Sequence, residues 1–184
     1  MDTSDLTNEL EKVLFTEDEL LQRIQEIADQ IRQDYPDDDV LLVGVLKGAV
    51  MVMADLARAM RSHVEMDWMA VSSYGSGTTS SGVVRILKDL DTDIAGRHVI
   101  LVEDILDTGL TLTWLLKNLS SRKPKSLEAF TLLRKPEAMK VTVDAKYVGF
   151  DIPNEFVVGY GLDHAQKFRN LRCIGTLAPH MYAN

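Results

Sequence analysis

VEDILDTGLTL, residues 102–112, sets three carboxylates around two apolar residues, then makes a Thr-Gly turn into an apolar-periodic stretch. A helix N-terminus carries unpaired N–H groups and partial positive charge. Asp107-Thr108-Gly109-Leu110-Thr111 can therefore bind a phosphate through backbone and hydroxyl donors, with no lysine required. A Walker A loop would need Gly-x-x-x-x-Gly-Lys followed by Ser or Thr, which the chain lacks, so an ordinary nucleoside triphosphatase is disfavoured. Glu103 and Asp104 come first, where the apolar run VILV ends, and adjacent carboxylates suit paired sugar hydroxyls or a hard cation such as Mg²⁺. Phosphate on the turn and a ribose on the acids would be one molecule lying along one loop. The plainer alternative for Asp107 is an N-cap on the helix that follows, and both roles can hold at once.

These residues need a scaffold. The chain has 184 residues, 46% hydrophobic, which fits one α/β domain large enough to enclose a small-molecule site. TEDELLQRIQEIADQIRQDY (16–35) is an amphipathic helix with Thr16 as N-cap and Glu19 three residues on. VLLVGVL (40–46) follows as a strand covered on both faces, then AVMVMADLARAM (49–60) as the return helix with methionines as core filler. VEMDWMAVSSY (64–74), VVRILKDL (83–90) and RHVILVE (97–103) read as strands, and the polar, glycine-rich GSGTTSSG (75–82) between the first two reads as a mobile loop. A helix over 110–119 and strands over 126–133, 145–150 and 155–160 complete the pattern, with a looser C-terminal tail. Strands alternating with helices predict a mainly parallel twisted sheet flanked by helices. Ligands collect at the carboxyl ends of such strands, where both Leu46-Lys47-Gly48 and Glu103 to Thr111 fall.

Composition narrows the chemistry. The net charge of −8 argues against broad nucleic-acid binding. A solvated face accounts for most of the basic residues gathered between Lys123 and Lys146. Cys173 is the single cysteine, and His63, His98, His164 and His180 lack zinc-ligand spacing, so a metal would be held through oxygen. No N-terminal signal pattern and no apolar run of bilayer length are present, and a cytoplasmic protein without membrane partners is expected.

The string VILVEDILDTGLT resembles the phosphoribosyl-pyrophosphate-binding motif of the type I phosphoribosyltransferases. VGVLKGA (43–49), SSYGSG (72–77) and FVVGYGLDHAQKFRNL (156–171) narrow the resemblance to the hypoxanthine (hypoxanthine-guanine) phosphoribosyltransferases, in that family's order and spacing from roughly residue 14 to residue 176. The resemblance implies the type I fold over 1–184 as a single domain. A small hood over the base would come mainly from 135–184, with the N-terminal helix as a further candidate.

It further implies that Glu103 and Asp104 hold the ribose hydroxyls and Mg²⁺, that Asp107 is the general acid/base at N7 of the purine, and that Thr108, Gly109 and Thr111 help bind the 5′-phosphate. Leu46, Lys47, Gly48 and Arg169 would take pyrophosphate, and in the family the Leu46–Lys47 peptide can be cis. Lys135 would donate to the 6-oxo group and exclude adenine. Phe156 would stack on the base, Val157 would hydrogen-bond its edge through the backbone, and Asp163 would be a further metal ligand beside the purine. Ser73 and Tyr74 would open a flexible loop that closes over the reacting centre.

The implied partners are phosphoribosyl pyrophosphate, hypoxanthine and guanine, with a homodimer or homotetramer as the assembly. Leu110 stands where some members have lysine, and His164 where tyrosine is frequent. Xanthine specificity within the same class is a close rival. A regulator keeping the fold to sense the metabolite or bind RNA, or a member with a dead site, is a more distant one.

Overall fold

Thr16 ends an extended strand, β1 (Leu10–Phe15), and starts helix α1 (Glu17–Asp34). Its hydroxyl accepts from the Glu19 N–H at 3.4 Å, and the Glu19 carboxylate accepts from the Thr16 N–H at 2.8 Å. This reciprocal box satisfies two otherwise unpaired donors. The helix then buries Leu20, Ile24, Ile27, Ala28 and Ile31 along the face its periodicity marks. The computed structural model describes residues 9–36, 38–73 and 84–181. Tyr74 and the glycine-rich stretch 75–82 lie outside them.

After α1 the chain runs through β2 (Val40–Leu46), α2 (Val50–Ala59), β3 (Glu65–Ser73), β4 (Val84–Lys88), β5 (His98–Leu106), α3 (Leu110–Ser120), β6 (Ser126–Arg134), β7 (Tyr147–Asp151), β8 (Val157–Val158) and β9 (Ile174–Leu177). Six strands form the main sheet in the order β4-β3-β2-β5-β6-β7. All its pairings are parallel except β3 with β4. Side chains alternate across it: Val40, Leu42, Ile100, Val102 and Phe130 pack with α1 and α2, whereas Leu41, Val43, Val45, Val99 and Leu101 pack with α3. Helices on both faces explain why β2 and β5 are apolar without alternation.

Two features depart from the sequence reading. First, β5 does not stop at its acids. Glu103, Ile105 and Leu106 stay in register with Thr131, Leu133 and Arg134 of β6, so the ladder carries the backbone past two carboxylates. Second, the C-terminal segment carries a strand, β9. β9 is fully buried and pairs antiparallel with β8 and β1 as a separate three-stranded sheet, order β1-β9-β8. The N-terminal contribution to that sheet is β1, not the helix after it.

Asp67 sets the stem between β4 and β5. Its buried carboxylate accepts from the N–H groups of Trp68, Asp91 and Thr92 at 2.7, 2.9 and 2.8 Å. Burial works against its charge, but these donors hold its pKa below the ordinary carboxylate value. No helix among the described residues is long and apolar enough to cross a membrane.

Candidate active site

Three segments meet at the carboxyl edge of the main sheet with no room between them. A Cβ on Gly48 would overlap Asp104 Oδ2, and a Cβ on Gly161 would overlap the Gly48 carbonyl oxygen. Gly161 also has φ +101°, a conformation glycine alone adopts readily. The stack Asp104, Gly48, Gly161 thus joins the end of β5, the turn after β2 and the loop before β9. The Leu46–Lys47 peptide in that turn is cis. Ser73 ends β3 on the same edge, three residues beyond Ala70, which pairs with Leu46.

Burial dominates the electrostatics of the acid pair. Glu103 is 8% exposed, and loss of water, then the neighbouring Asp104 charge, pushes its carboxyl well above the ordinary range. Asp104 is pushed up to about 6, chiefly by burial; the Ile105 N–H at 2.8 Å and the Arg169 charge pull the other way. A carboxyl that holds its proton more tightly folded than unfolded favours the fold at low pH. That preference is lost as pH rises from the ordinary carboxylate value through about 6. Asp104→Asn, which cannot ionise, is therefore expected to stabilise the ligand-free protein by on the order of 1–3 kcal/mol at neutral pH. Thermal melts across pH check this: the variant's advantage should shrink toward pH values near the ordinary carboxylate pKa, about 4. A variant melting lower than the parent at neutral pH would contradict it.

The turn after β5 does not use Asp107 as a cap. The N-cap of α3 is Gly109, at φ +81° and without a side-chain cap bond. Asp107 is exposed instead, and its Oδ2 lies 3.4 Å from Lys135 Nζ. Lys135 is 7% exposed and fixed by its own N–H, which donates to the Leu106 carbonyl at 2.9 Å. The ends of β5 and β6 therefore present a carboxylate and an ammonium side by side. Glu103, Asp107, Thr108, Gly109 and Thr111 line a recess of about 80 Å³ with Ile105, Leu106 and Leu112.

The 161–169 loop supplies the other charged groups. Arg169 Nη2 pairs with Asp163 Oδ1 at 2.6 Å, and its Nη1 donates to the Gly161 carbonyl at 2.7 Å. Lys47 reaches the same loop, donating to Gln166 Oε1 at 3.3 Å. Gln166 is absent from the sequence-derived set, because Ala165-Gln166 carries no recognisable turn or ligand signature. Phe156, 48% exposed, meets His164 edge to face with ring centroids 5.6 Å apart. Val157 is buried on β8, in register with Thr176. Phe156 and Val157 thus belong to the three-stranded side, and Lys135 to the main sheet.

No three of His, Cys, Asp and Glu among the described residues stand close enough to hold a metal unaided. Mg²⁺ does not need such a cage: it keeps several waters and binds through one or two carboxylates plus substrate phosphates. Buried Glu103 and half-buried Asp104, whose charged forms cost free energy without a cation, fit a hard ion of that kind. Asp163, engaged by Arg169, would have to change partner to join them.

Comparison with known proteins identifies the family. A family model described as the phosphoribosyl transferase domain matches residues 14–165. The hypoxanthine-guanine phosphoribosyltransferase of Mycobacterium tuberculosis is 55% identical over 180 residues, covering 95% of this chain and 89% of that protein. A crystal structure of a hypoxanthine phosphoribosyltransferase from Staphylococcus aureus superposes with a TM-score of 0.95 at 47% identity, covering 99% of both chains. A structure of the Trypanosoma cruzi enzyme gives 0.91 at 46% identity, covering 95% of each. On matches that span almost its whole length, the chain belongs to the hypoxanthine-guanine phosphoribosyltransferase family.

Proposed function

We propose that the protein is a purine salvage enzyme that transfers the 5-phosphoribosyl group from phosphoribosyl pyrophosphate to N9 of hypoxanthine, and of guanine, giving the 5′-monophosphate and pyrophosphate. The observation that carries this is the Asp107–Lys135 pair, an acceptor and a donor 3.4 Å apart at the mouth of the site. A 6-oxopurine carrying its proton on N7 offers the complement on one edge: N7–H donates to Asp107 while O6 accepts from Lys135. Adenine places an amino donor where O6 would be. Lys135 would then lose its acceptor, at about 1–3 kcal/mol, and more because it is charged.

As N9 bonds to C1′, the C1′–oxygen bond breaks with its electron pair leaving on pyrophosphate, and the N7 proton passes to the Asp107 carboxylate. Glu103 and Asp104 hold the ribose hydroxyls and oppose the positive charge that develops on the sugar. Thr108, Gly109, Thr111 and the α3 N-terminus take the 5′-phosphate, while Leu46, Lys47, Gly48 and Arg169 take pyrophosphate. When bound by Glu103, Asp104 and Asp163, Mg²⁺ would supply charge neutralisation at the pyrophosphate and ribose oxygens. Phe156 stacks on the base and Val157 bonds its edge, within a hood formed by the three-stranded sheet. Ser73 and Tyr74 begin the loop that excludes water, which would otherwise compete for the activated ribose.

The test is pyrophosphate release with Mg²⁺ and hypoxanthine, guanine, xanthine or adenine in parallel, on the parent and on Lys135→Met. Release with hypoxanthine and guanine but not adenine is expected, and Lys135→Met should raise KM for hypoxanthine about 10–100-fold. Xanthine turnover above hypoxanthine would shift the specificity assignment. No release with any base would refute the transferase reading.

A further inference from the structure

Ala165 and Gln166 form a tight turn whose flanking residues exchange both backbone bonds: His164 N to Lys167 O at 3.2 Å, and Lys167 N to His164 O at 2.9 Å. Both turn residues are left-handed, at φ +50° and +65°. Glycine and asparagine fill such positions cheaply, whereas alanine and glutamine are strained there, and backbone strain of this kind clusters at functional sites. Three hydrogen bonds define what the turn holds. The Gln166 N–H donates to Asp163 Oδ2 at 2.8 Å, and the Gln166 side chain folds back so that Oε1 accepts from both Lys47 Nζ at 3.3 Å and Arg169 Nη2 at 3.4 Å. One neutral oxygen thus bridges two cations from distant parts of the chain.

We infer that Gln166 is a positioning residue that holds Lys47 and Arg169 at the separation at which they receive pyrophosphate. This rests on the assignment of those two cations to pyrophosphate in the proposed function. The chemistry suits an amide. Its carbonyl oxygen orients an ammonium and a guanidinium without cancelling their charge, and its NH₂ carries donors that an anion can accept from. A carboxylate at the same point would be a permanent counter-ion, competing with the incoming diphosphate for the same two groups. The strained turn is what brings the side chain within reach. A residue chosen for backbone comfort would be glycine or asparagine, and neither spans the distance to Lys47 and Arg169 that glutamine spans.

The experiment uses inorganic pyrophosphate with Mg²⁺, titrated calorimetrically into the parent protein, Gln166→Gly and Gln166→Glu, with thermal melts of all three and KM for hypoxanthine as the control. Gln166→Gly is expected to weaken pyrophosphate binding about 5–20-fold, and Gln166→Glu at least as much. The melting temperature of Gln166→Gly should stay level or rise, because glycine relaxes the left-handed backbone. Binding and stability then move in opposite directions, which a merely structural residue cannot produce. The inference is overturned if Gln166→Gly binds pyrophosphate within about twofold of the parent, or if its binding loss comes with a matching fall in melting temperature. A parent protein that does not bind pyrophosphate would instead overturn the assignment of Lys47 and Arg169, and the inference with it.

Discussion

Asp107→Asn is expected to cut turnover about 10²–10⁴-fold while leaving phosphoribosyl-pyrophosphate affinity within a few-fold of the parent. Asparagine keeps the shape and one acceptor oxygen but cannot take the N7 proton, so the loss falls on the chemical step. Asp107 is the residue of the turn best placed for this. It is exposed, it faces Lys135, and capping of α3 is left to Gly109. Single-turnover rates and calorimetric titration with phosphoribosyl pyrophosphate separate the two quantities. Undiminished turnover would remove Asp107 from the chemistry, and an equal loss of rate and affinity would make it a binding residue.

Gly161→Ala should be the most damaging change outside the reacting groups. The new methyl would sit on a backbone at φ +101° and overlap the carbonyl oxygen of Gly48, which is main chain and cannot rotate away. Strain and overpacking together are worth about 2–5 kcal/mol. Relief requires the turn after β2 to part from the 161–169 loop. A displacement of about 1 Å between positioned groups can cost 10²-fold in rate, so kcat/KM should fall by about that factor or more even at temperatures where the variant stays folded. Thermal melting and steady-state kinetics on one preparation check both. Parent-like values would mean that the two segments are not in contact.

The main sheet was legible because buried parallel strands are apolar throughout and helices advertise a 3.6-residue period. VLLVGVL and the capping box at Thr16 were read from these signals alone. Of the three-stranded sheet only β8 was legible, within the strand expected over 155–160; β1 and β9 were not. In β1, LEKVLF, the middle of the strand is exposed and carries charge, so its pattern resembles a surface segment. In β9, IGTL, four buried residues are too few to show any period. The end of β5 was misplaced for a related reason: Glu103 and Asp104 look like a boundary, yet the pairing with β6 continues through Glu103, Ile105 and Leu106 whatever the side chains carry. The candidate site was legible in its segments but not in its contacts. Nothing in the order of residues says that Gly48 touches Asp104 and Gly161, or that Gln166 lies under Lys47 and Arg169.

The pairing of cations with internal partners, Arg169 with Asp163 and Lys135 with Asp107, bears on how a polyanion arrives. From beyond a Debye length, about 8 Å at physiological ionic strength, such pairs present dipoles instead of a positive field, on a molecule whose net charge is −8. Encounter therefore proceeds without long-range steering, and added salt should scarcely slow it. With Arg169 in its proposed pyrophosphate role, discrimination begins only after contact, when an incoming phosphate must replace the Asp163 carboxylate that already holds the arginine. Affinity in such a site is governed by how long the newcomer keeps its place, not by how often it calls.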